Sequence, residues 1–452
     1  MRRIAKGSAK TITAAEAAAL VKDGMWLDYA LSISQPDVFD AALAARAGEL
    51  SDVKIRNCLS VRPRAVLEVD PTAQTFHVFN WHFGGYDRAK HDVGLCHYIP
   101  LNLGEVPDYY RRFIDPVDIV ILKTRPLDDE GYFNFGPTNV WLRAIIERAR
   151  MVIVETTHSL VHVFGDQNAV HRSEVDYVIE GDDAPAAELP NPPPTEIDHA
   201  VARLIAAEVE DGACLQIGIG GMPNAVCTLL KESGVKDLGI HTEMLTEGLV
   251  DLYKAGLVSG AKKQLDPGKV AFTFALGSKA VYEAIDRNPD MHCCPVDYTN
   301  MPHVIMRNDN VVSINSTTQL DLQGQAASES DGHRHISGTG GQLQFVRGAY
   351  ASSGGKSFIC LPSTYEKKGL RKSRIVLDLT PGNIVTTPRS DVMYVVTEYG
   401  IANLKGRSVA ERARAMISLA HPDFREELER AAHEHRLIPR GVSFAGARAA
   451  AE

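Results

Sequence analysis

No stretch of this sequence approaches the roughly 18 uninterrupted apolar residues of a membrane-spanning helix, so no membrane association is expected. Residues 1–10 are basic, but no apolar run long enough for a secretion signal follows them. The seven cysteines (58, 96, 214, 227, 293, 294 and 360) are scattered and odd in number, and none forms a C-x-x-C pair. That usage speaks against a disulfide framework and against a zinc site, and it fits a reducing cytoplasm. His158 and His162 have i,i+4 spacing without the glutamate of H-E-x-x-H, and His333 and His335 lack a nearby carboxylate pattern, so no metal is expected. There is no phosphate-binding G-x-x-x-x-G-K-[ST] and no G-x-S-x-G elbow, and no cysteine has the local context of a nucleophile. A net charge of −9 argues against a general affinity for nucleic acid.

What remains is soluble globular material, with 44% hydrophobic and 23% charged residues. A chain of 452 residues is too long for one ordinary core, so two or three domains are expected. An internal repeat sharpens this expectation. Asp23-Gly24 and the residues after it resemble Asp211-Gly212 and its successors, 188 positions later, and Pro36 matches Pro223 after a one-residue gap. Each copy reads as helix, Asp-Gly turn, short buried strand, loop and a helix opening near proline. A further apolar strand follows at 53–59 and at 238–242. Buried strands are also expected at 117–122, 151–155, 311–315, 357–361 and 392–397, with helices over 140–150, 196–209, 408–420 and 426–436. Alternating strands and helices imply βαβ units with mostly parallel sheets. The reading is therefore two tandem related α/β domains, 1–187 and 196–452, joined by the proline-dense linker 188–195.

The copies differ in their loops. The second has Gln216-Ile217-Gly218-Ile219-Gly220-Gly221-Met222-Pro223-Asn224, followed by Gly239-Ile240-His241-Thr242-Glu243-Met244. Two such strand-end loops, side by side, would place the Glu243 carboxylate beside backbone N–H donors, as attack on an activated carbonyl requires. The bland alternative is a solvated glutamate near a strand end. A dinucleotide fingerprint fits poorly, because Asn224 behind Pro223 stands where a third glycine should open the helix. Ser337-Gly338-Thr339-Gly340-Gly341-Gln342 reads either as a surface loop or as an N–H nest for an anion. Gly354-Gly355-Lys356 reads as a turn into a strand.

These motifs carry a resemblance. Gly218-Ile219-Gly220-Gly221-Met222-Pro223-Asn224-Ala225, His241-Thr242-Glu243-Met244, Gly277-Ser278-Lys279, Asn308-Asp309-Asn310-Val311 and the 337–342 run occur in order, followed by Thr386-Thr387-Pro388-Arg389, Thr397-Glu398-Tyr399-Gly400 and His421-Pro422-Asp423-Phe424-Arg425. From about Phe83 to Leu428 the chain resembles the acetyl-CoA hydrolase/transferase branch of the family I CoA-transferases, which includes 4-hydroxybutyrate and butyryl-CoA:acetate CoA-transferases.

The resemblance implies two NagB/RpiA-like α/β domains with the active site at their interface. It implies that Glu243 attacks an acyl-CoA thioester, forming an acyl-glutamyl anhydride and then a glutamyl-CoA thioester. Coenzyme A contacts are implied for Gly218, Ile219, Gly220, Gly221, Met222 and Gly341, with oxyanion donors among the Ile219, Gly220 and Gly341 N–H groups. A phosphate contact is implied for Lys367 or Lys368. Glu398 matches a second carboxylate near the acyl pocket. Phe83-Gly84-Gly85-Tyr86-Asp87-Arg88 and Val161-His162-Val163-Phe164-Gly165 depart from the family pattern. They are expected to border the acyl site, Gly84, Gly85 and Tyr86 among them, and to admit a larger or more functionalised acid. Partners would be acyl-CoA and small carboxylic acids, with no permanently bound cofactor, in a homodimer or homotetramer. The rival readings are an acyl-CoA hydrolase using the same glutamate and a non-catalytic CoA-binding protein.

Overall fold

The computed structural model describes residues 9–190, 193–439 and 448–449, so Asn191 and Pro192 of the expected linker, the basic residues 1–8 and most of the C-terminal end lie outside the described residues. Two mostly parallel sheets organise the chain. The N-terminal sheet runs Cys96–Tyr98, Phe76–Asn80, Val53–Cys58, Trp26–Leu31, Ile119–Thr124, Met151–Thr156, Tyr177–Glu180 and Lys10–Thr11, all parallel. The C-terminal sheet runs Met291–Cys293, Val270–Phe272, Gly239–His241, Cys214–Ile217, Val311–Ser316, Lys356–Cys360 and Tyr394–Thr397, parallel throughout. Gly400–Asn403 and Arg448–Ala449 then extend it antiparallel. Ile119–Thr124 is buried along its whole length, the pattern of a parallel strand covered on both faces.

The internal repeat is written into the register. Gly24 and Gly212 both hold positive φ, 75° and 78°, which glycine adopts without steric penalty. Leu27 pairs with Ile55 on one side and Ile119 on the other, and Leu215 pairs with Ile240 and Val312. Counting three residues on from Ile55 and Ile240 superposes Cys58 on Glu243. In the next strand out, Val78 and Val270 are equivalent, which superposes His82 on Phe274.

Element ends moved where local chemistry outranked apolar periodicity. The helix expected from 426 is Pro422–Glu434, because the His421 ring nitrogen accepts the Asp423 N–H and Pro422 occupies the first turn, where it is tolerated. The strand expected at 392–397 starts only at Tyr394, after a turn. Helices Glu196–Ala206 and Val409–Leu419 begin at capping boxes, Thr195 with Asp198 and Ser408 with Glu411. The connecting segment ahead of the first of these packs on the C-terminal half, with Leu189 N–H donating to Gly277 O and Glu188 accepting from Lys279 N–H.

One apolar cluster runs through both halves, from Leu31 and Leu122 to Ile217, Phe274 and Phe358. A polar seam supplements it. Asn139, buried, donates through Nδ2 to both Asp166 O (2.7 Å) and Cys293 O (3.0 Å). Cys293 N–H donates to Phe164 O at 2.8 Å. Residue 165 is glycine because any Cβ there would overlap the Cys293 backbone. Gly165→Ala is therefore expected to destabilise the protein by about 2–4 kcal/mol, from the backbone shift it forces. A denaturation midpoint unchanged from wild type would refute this reading of the seam.

Candidate active site

Strand Cys214–Ile217 ends in the loop 218–220, and helix Gly221–Glu232 follows. Gly220 sits at φ 121°, a conformation strained for any L side chain, so the chain can turn abruptly into the helix. The neighbouring parallel strand Gly239–His241 ends two residues before Glu243. Parallel pairing thus delivers the glycine loop and the glutamate to the same sheet edge, where ligands of open α/β sheets bind.

Glu243 is held by a short hydrogen bond, Asn300 Nδ2 to Oε2 at 2.5 Å. Asn300 is itself buried, and its Oδ1 accepts from Thr299 Oγ1 at 2.9 Å, which fixes the amide with its nitrogen toward the carboxylate. Burial drives the Glu243 carboxyl up to about 7, against the Asn300 donor, which favours the charged form. The glycine loop 337–341 closes over this pair. A Cβ at Gly341 would collide with Glu243 Oε2 and Asn300 Nδ2, and one at Gly338 would stand 2.8 Å from His82 Nδ1. Close approach to side chains, as much as exposure of N–H groups, explains why this run is glycine-rich.

Glu243 opens into a cavity of about 300 Å³ between the two halves. The repeat's symmetry is visible in its walls. Leu31, Cys58, Leu59 and His82 from the N-terminal half face Ile219, Glu243, Met244 and Phe274 from the other, and each residue is the register equivalent of its counterpart. The His82 imidazole is pushed down to about 4 by burial, with His335 and Arg88 acting in the same direction, and so it faces the cavity uncharged at neutral pH. No lysine or arginine lines the cavity among the described residues.

Of the residues singled out in the sequence, Gly218, Ile219, Glu243 and Gly341 line this cavity together. Gly220, Gly221 and Met222 line a smaller adjoining cavity of about 120 Å³ that shares Ile219. Gly218 N–H is occupied by Ile314 O at 3.1 Å, whereas Ile219, Gly220 and Gly341 N–H have no protein acceptor among the described residues. Four sets of expected residues lie outside this cavity. Gly84, Gly85 and Tyr86 do not line the cavity: Gly84 caps helix Gly85–Asp92, and the Tyr86 hydroxyl donates to Glu68. Residues 162–165 line a separate polar cavity of about 600 Å³. Glu398 accepts from Ser363 N–H and Oγ–H (2.9 and 2.6 Å) and does not line the cavity. Lys367 and Lys368 lie at the tip of the exposed hairpin Thr364–Lys367/Leu370–Ser373, Lys367 paired with Asp331 at 3.2 Å, away from the cavity walls.

Asn300, Cys58 and Leu31 are site residues that sequence reasoning did not name as such. Leu31 and Cys58 were within reach, by carrying the repeat from Ile219 and Glu243 across to the first copy. Asn300 has no such signal, since it lies 57 positions from Glu243 in a short helix without a motif.

Known proteins resemble the chain over most of its length. Residues 2–190 match the acetyl-CoA hydrolase/transferase N-terminal domain and residues 277–432 the corresponding C-terminal domain. The chain is 44% identical to the butyryl-CoA:acetate CoA-transferase of Anaerostipes caccae, over 93% of this chain and 95% of the relative. It is 43% identical to the succinyl-CoA:cyclohexane-1-carboxylate CoA transferase of Geobacter metallireducens, over 95% and 96%. The crystal structure of RipA from Yersinia pestis superposes with a TM-score of 0.87 at 39% identity, covering 95% of this chain and 98% of that one.

The raised carboxyl has a measurable consequence. Its folded-state value, about 7, lies above the ordinary 4.5, so the folded state pays no penalty below about pH 4.5. The penalty grows between 4.5 and 7, where only the unfolded chain has lost the proton, and is complete above 7. Glu243→Gln is therefore expected to match wild type in denaturant stability at about pH 4.5 and to exceed it by about 2–3 kcal/mol at about pH 8. Asn300→Ala, which removes the donor, should move the upper end of that window upward. A pH-independent difference between Glu243→Gln and wild type would contradict the assignment.

Proposed function

Because the chain belongs to the acetyl-CoA hydrolase/transferase family, we propose that it is a CoA-transferase in which Glu243 carries first the acyl group and then CoA. The observation that carries this reading is a single carboxylate, wedged between Asn300 and Gly341 and sharing a cleft between the halves with Gly218 and Ile219 of the other glycine loop. The Glu243 carboxylate attacks the thioester carbonyl, the C–S bond breaks, and an acyl-glutamyl anhydride and CoA thiolate result. The thiolate then attacks the glutamyl carbonyl, giving a glutamyl-CoA thioester and releasing the first carboxylate. A second carboxylate reverses both steps, leaving as acyl-CoA and restoring Glu243.

The surroundings suit this sequence. The tetrahedral intermediates develop oxyanions, for which Gly341 N–H and Ile219 or Gly220 N–H are the proposed donors, each worth about 10²–10³ in rate. Ile219, 54% exposed at the mouth of the loop, offers apolar contact to the pantetheine arm. Keeping water from the anhydride favours transfer over hydrolysis. Apolar walls at Leu31, Leu59, Leu103 and Phe345, with no cation among the lining residues, favour uncharged acyl groups over dicarboxylic ones.

Purified enzyme given a labelled acyl-CoA and a panel of carboxylates is expected to exchange CoA without net release of thiol. Glu243→Ala should lower that exchange by about 10³-fold or more. Full exchange by Glu243→Ala would sink the mechanism. Stoichiometric thiol release by the wild type would instead make the protein a hydrolase.

A further inference from the structure

At the outer edge of the C-terminal sheet, on and just past strand Met291–Cys293, three side chains converge that the reaction does not use. His292 and Cys294, two apart, point to the same side, as alternation along extended backbone requires. Asp166 reaches them from the N-terminal half. The donor atoms of Asp166, His292 and Cys294 all lie within 4.8 Å of one another. We propose that these three residues bind a divalent transition metal, Zn²⁺ by preference, and that the ion clamps the N-terminal half to the C-terminal half.

The geometry suits the ion. His292 Nε2 stands 3.4 Å from Asp166 Oδ1, close to the edge of a tetrahedron whose metal–ligand bonds are about 2.0–2.1 Å. One sulfur, one imidazole and one carboxylate form the mixed, moderately soft donor set that zinc accepts. The other imidazole nitrogen, Nδ1, is buried without a hydrogen-bond partner and lies 3.7 Å from Asp266 Oδ1. Asp266 is in turn fixed by the Tyr298 hydroxyl at 2.9 Å. That is the carboxylate–histidine–metal arrangement in which an outer carboxylate orients the ring and sets its tautomer. A small contraction toward a metal on Nε2 would bring Nδ1–H within bonding distance of Asp266.

The frame is already rigid. Asn139 ties Asp166 O to Cys293 O, Cys293 N–H is held by Phe164 O, and Gly165 lets the two backbones touch. Cys294 is fully buried while Asp166 is exposed, so the ion has an entry path and a fourth position open to water. Binding forms an S–metal bond and releases the thiol proton to solvent. The thiolate and the Asp166 carboxylate then match the two charges of the ion, with Asp266 behind the imidazole. The sequence hid this site because His-x-Cys is too short a signal and Asp166 lies 126 positions before His292.

The test is a titration of the full-length protein, stripped with a chelator, with Co²⁺ followed by Zn²⁺. One equivalent of Co²⁺ per chain should give a near-ultraviolet thiolate-to-cobalt band, which Zn²⁺ abolishes. Cys294→Ser should remove the band. Asp266→Asn should weaken Co²⁺ binding by about 10–100-fold. Asp166→Asn, at an exposed side chain that the fold does not need, should weaken it at least as much. Folded wild type without the band, a band that survives Cys294→Ser, or Co²⁺ affinity unchanged in Asp166→Asn would each overturn the proposal.

Discussion

The contact among Glu243, Asn300 and Gly341 is the constraint around which the site is organised. A carboxylate taken out of water is held protonated unless donors compensate, and here one neutral amide does so at 2.5 Å. The compensation is partial, which is why the carboxyl rests near 7 rather than in the usual range. Near neutrality such a group is available as a carboxylate, yet it is poorly solvated and so more nucleophilic than one in water. Gly341 must be glycine for the loop carrying the unoccupied N–H to come this close. Glu243, Asn300 and Gly341 thus depend on one another sterically.

Duplication supplied the enclosure. Two parallel sheets of the same order turn their strand ends toward a shared cleft, and equivalent positions line it from both halves: Leu31 and Ile219, Cys58 and Glu243, His82 and Phe274. The copies have divided the labour. The C-terminal copy carries the open glycine loop and the carboxylate, whereas the N-terminal copy presents mostly apolar wall. Enclosure between halves is what a transferase needs, because the energy of the thioester is retained only if water stays out.

The repeat, the alternating α/β pattern and the parallel sheets were legible because they rest on local periodicity and on turns such as Gly24 and Gly212 that repeat at one spacing. Glu243 and its glycine loop were legible for the same reason, since both follow directly from strand ends. What sequence reasoning missed depends on contacts between distant segments. Asn300 reaches Glu243 from a five-residue helix with no motif. Gly84, Gly85 and Tyr86 look like a binding loop but are consumed in capping their own helix and pairing with Glu68. Glu398, expected near the acyl pocket, accepts from Ser363 at a strand end. In each case the decisive fact was which partner a polar group had already satisfied.

Catalysis as proposed requires the Glu243 carboxylate to become covalently acylated and then thioesterified. The most direct measurement is peptide mass spectrometry of wild-type protein incubated with acyl-CoA alone and quenched in hydroxylamine. A hydroxamate at Glu243, formed only when acyl-CoA is present, is the predicted result. A peptide containing Glu243 that remains unmodified while another residue carries the hydroxamate would contradict it.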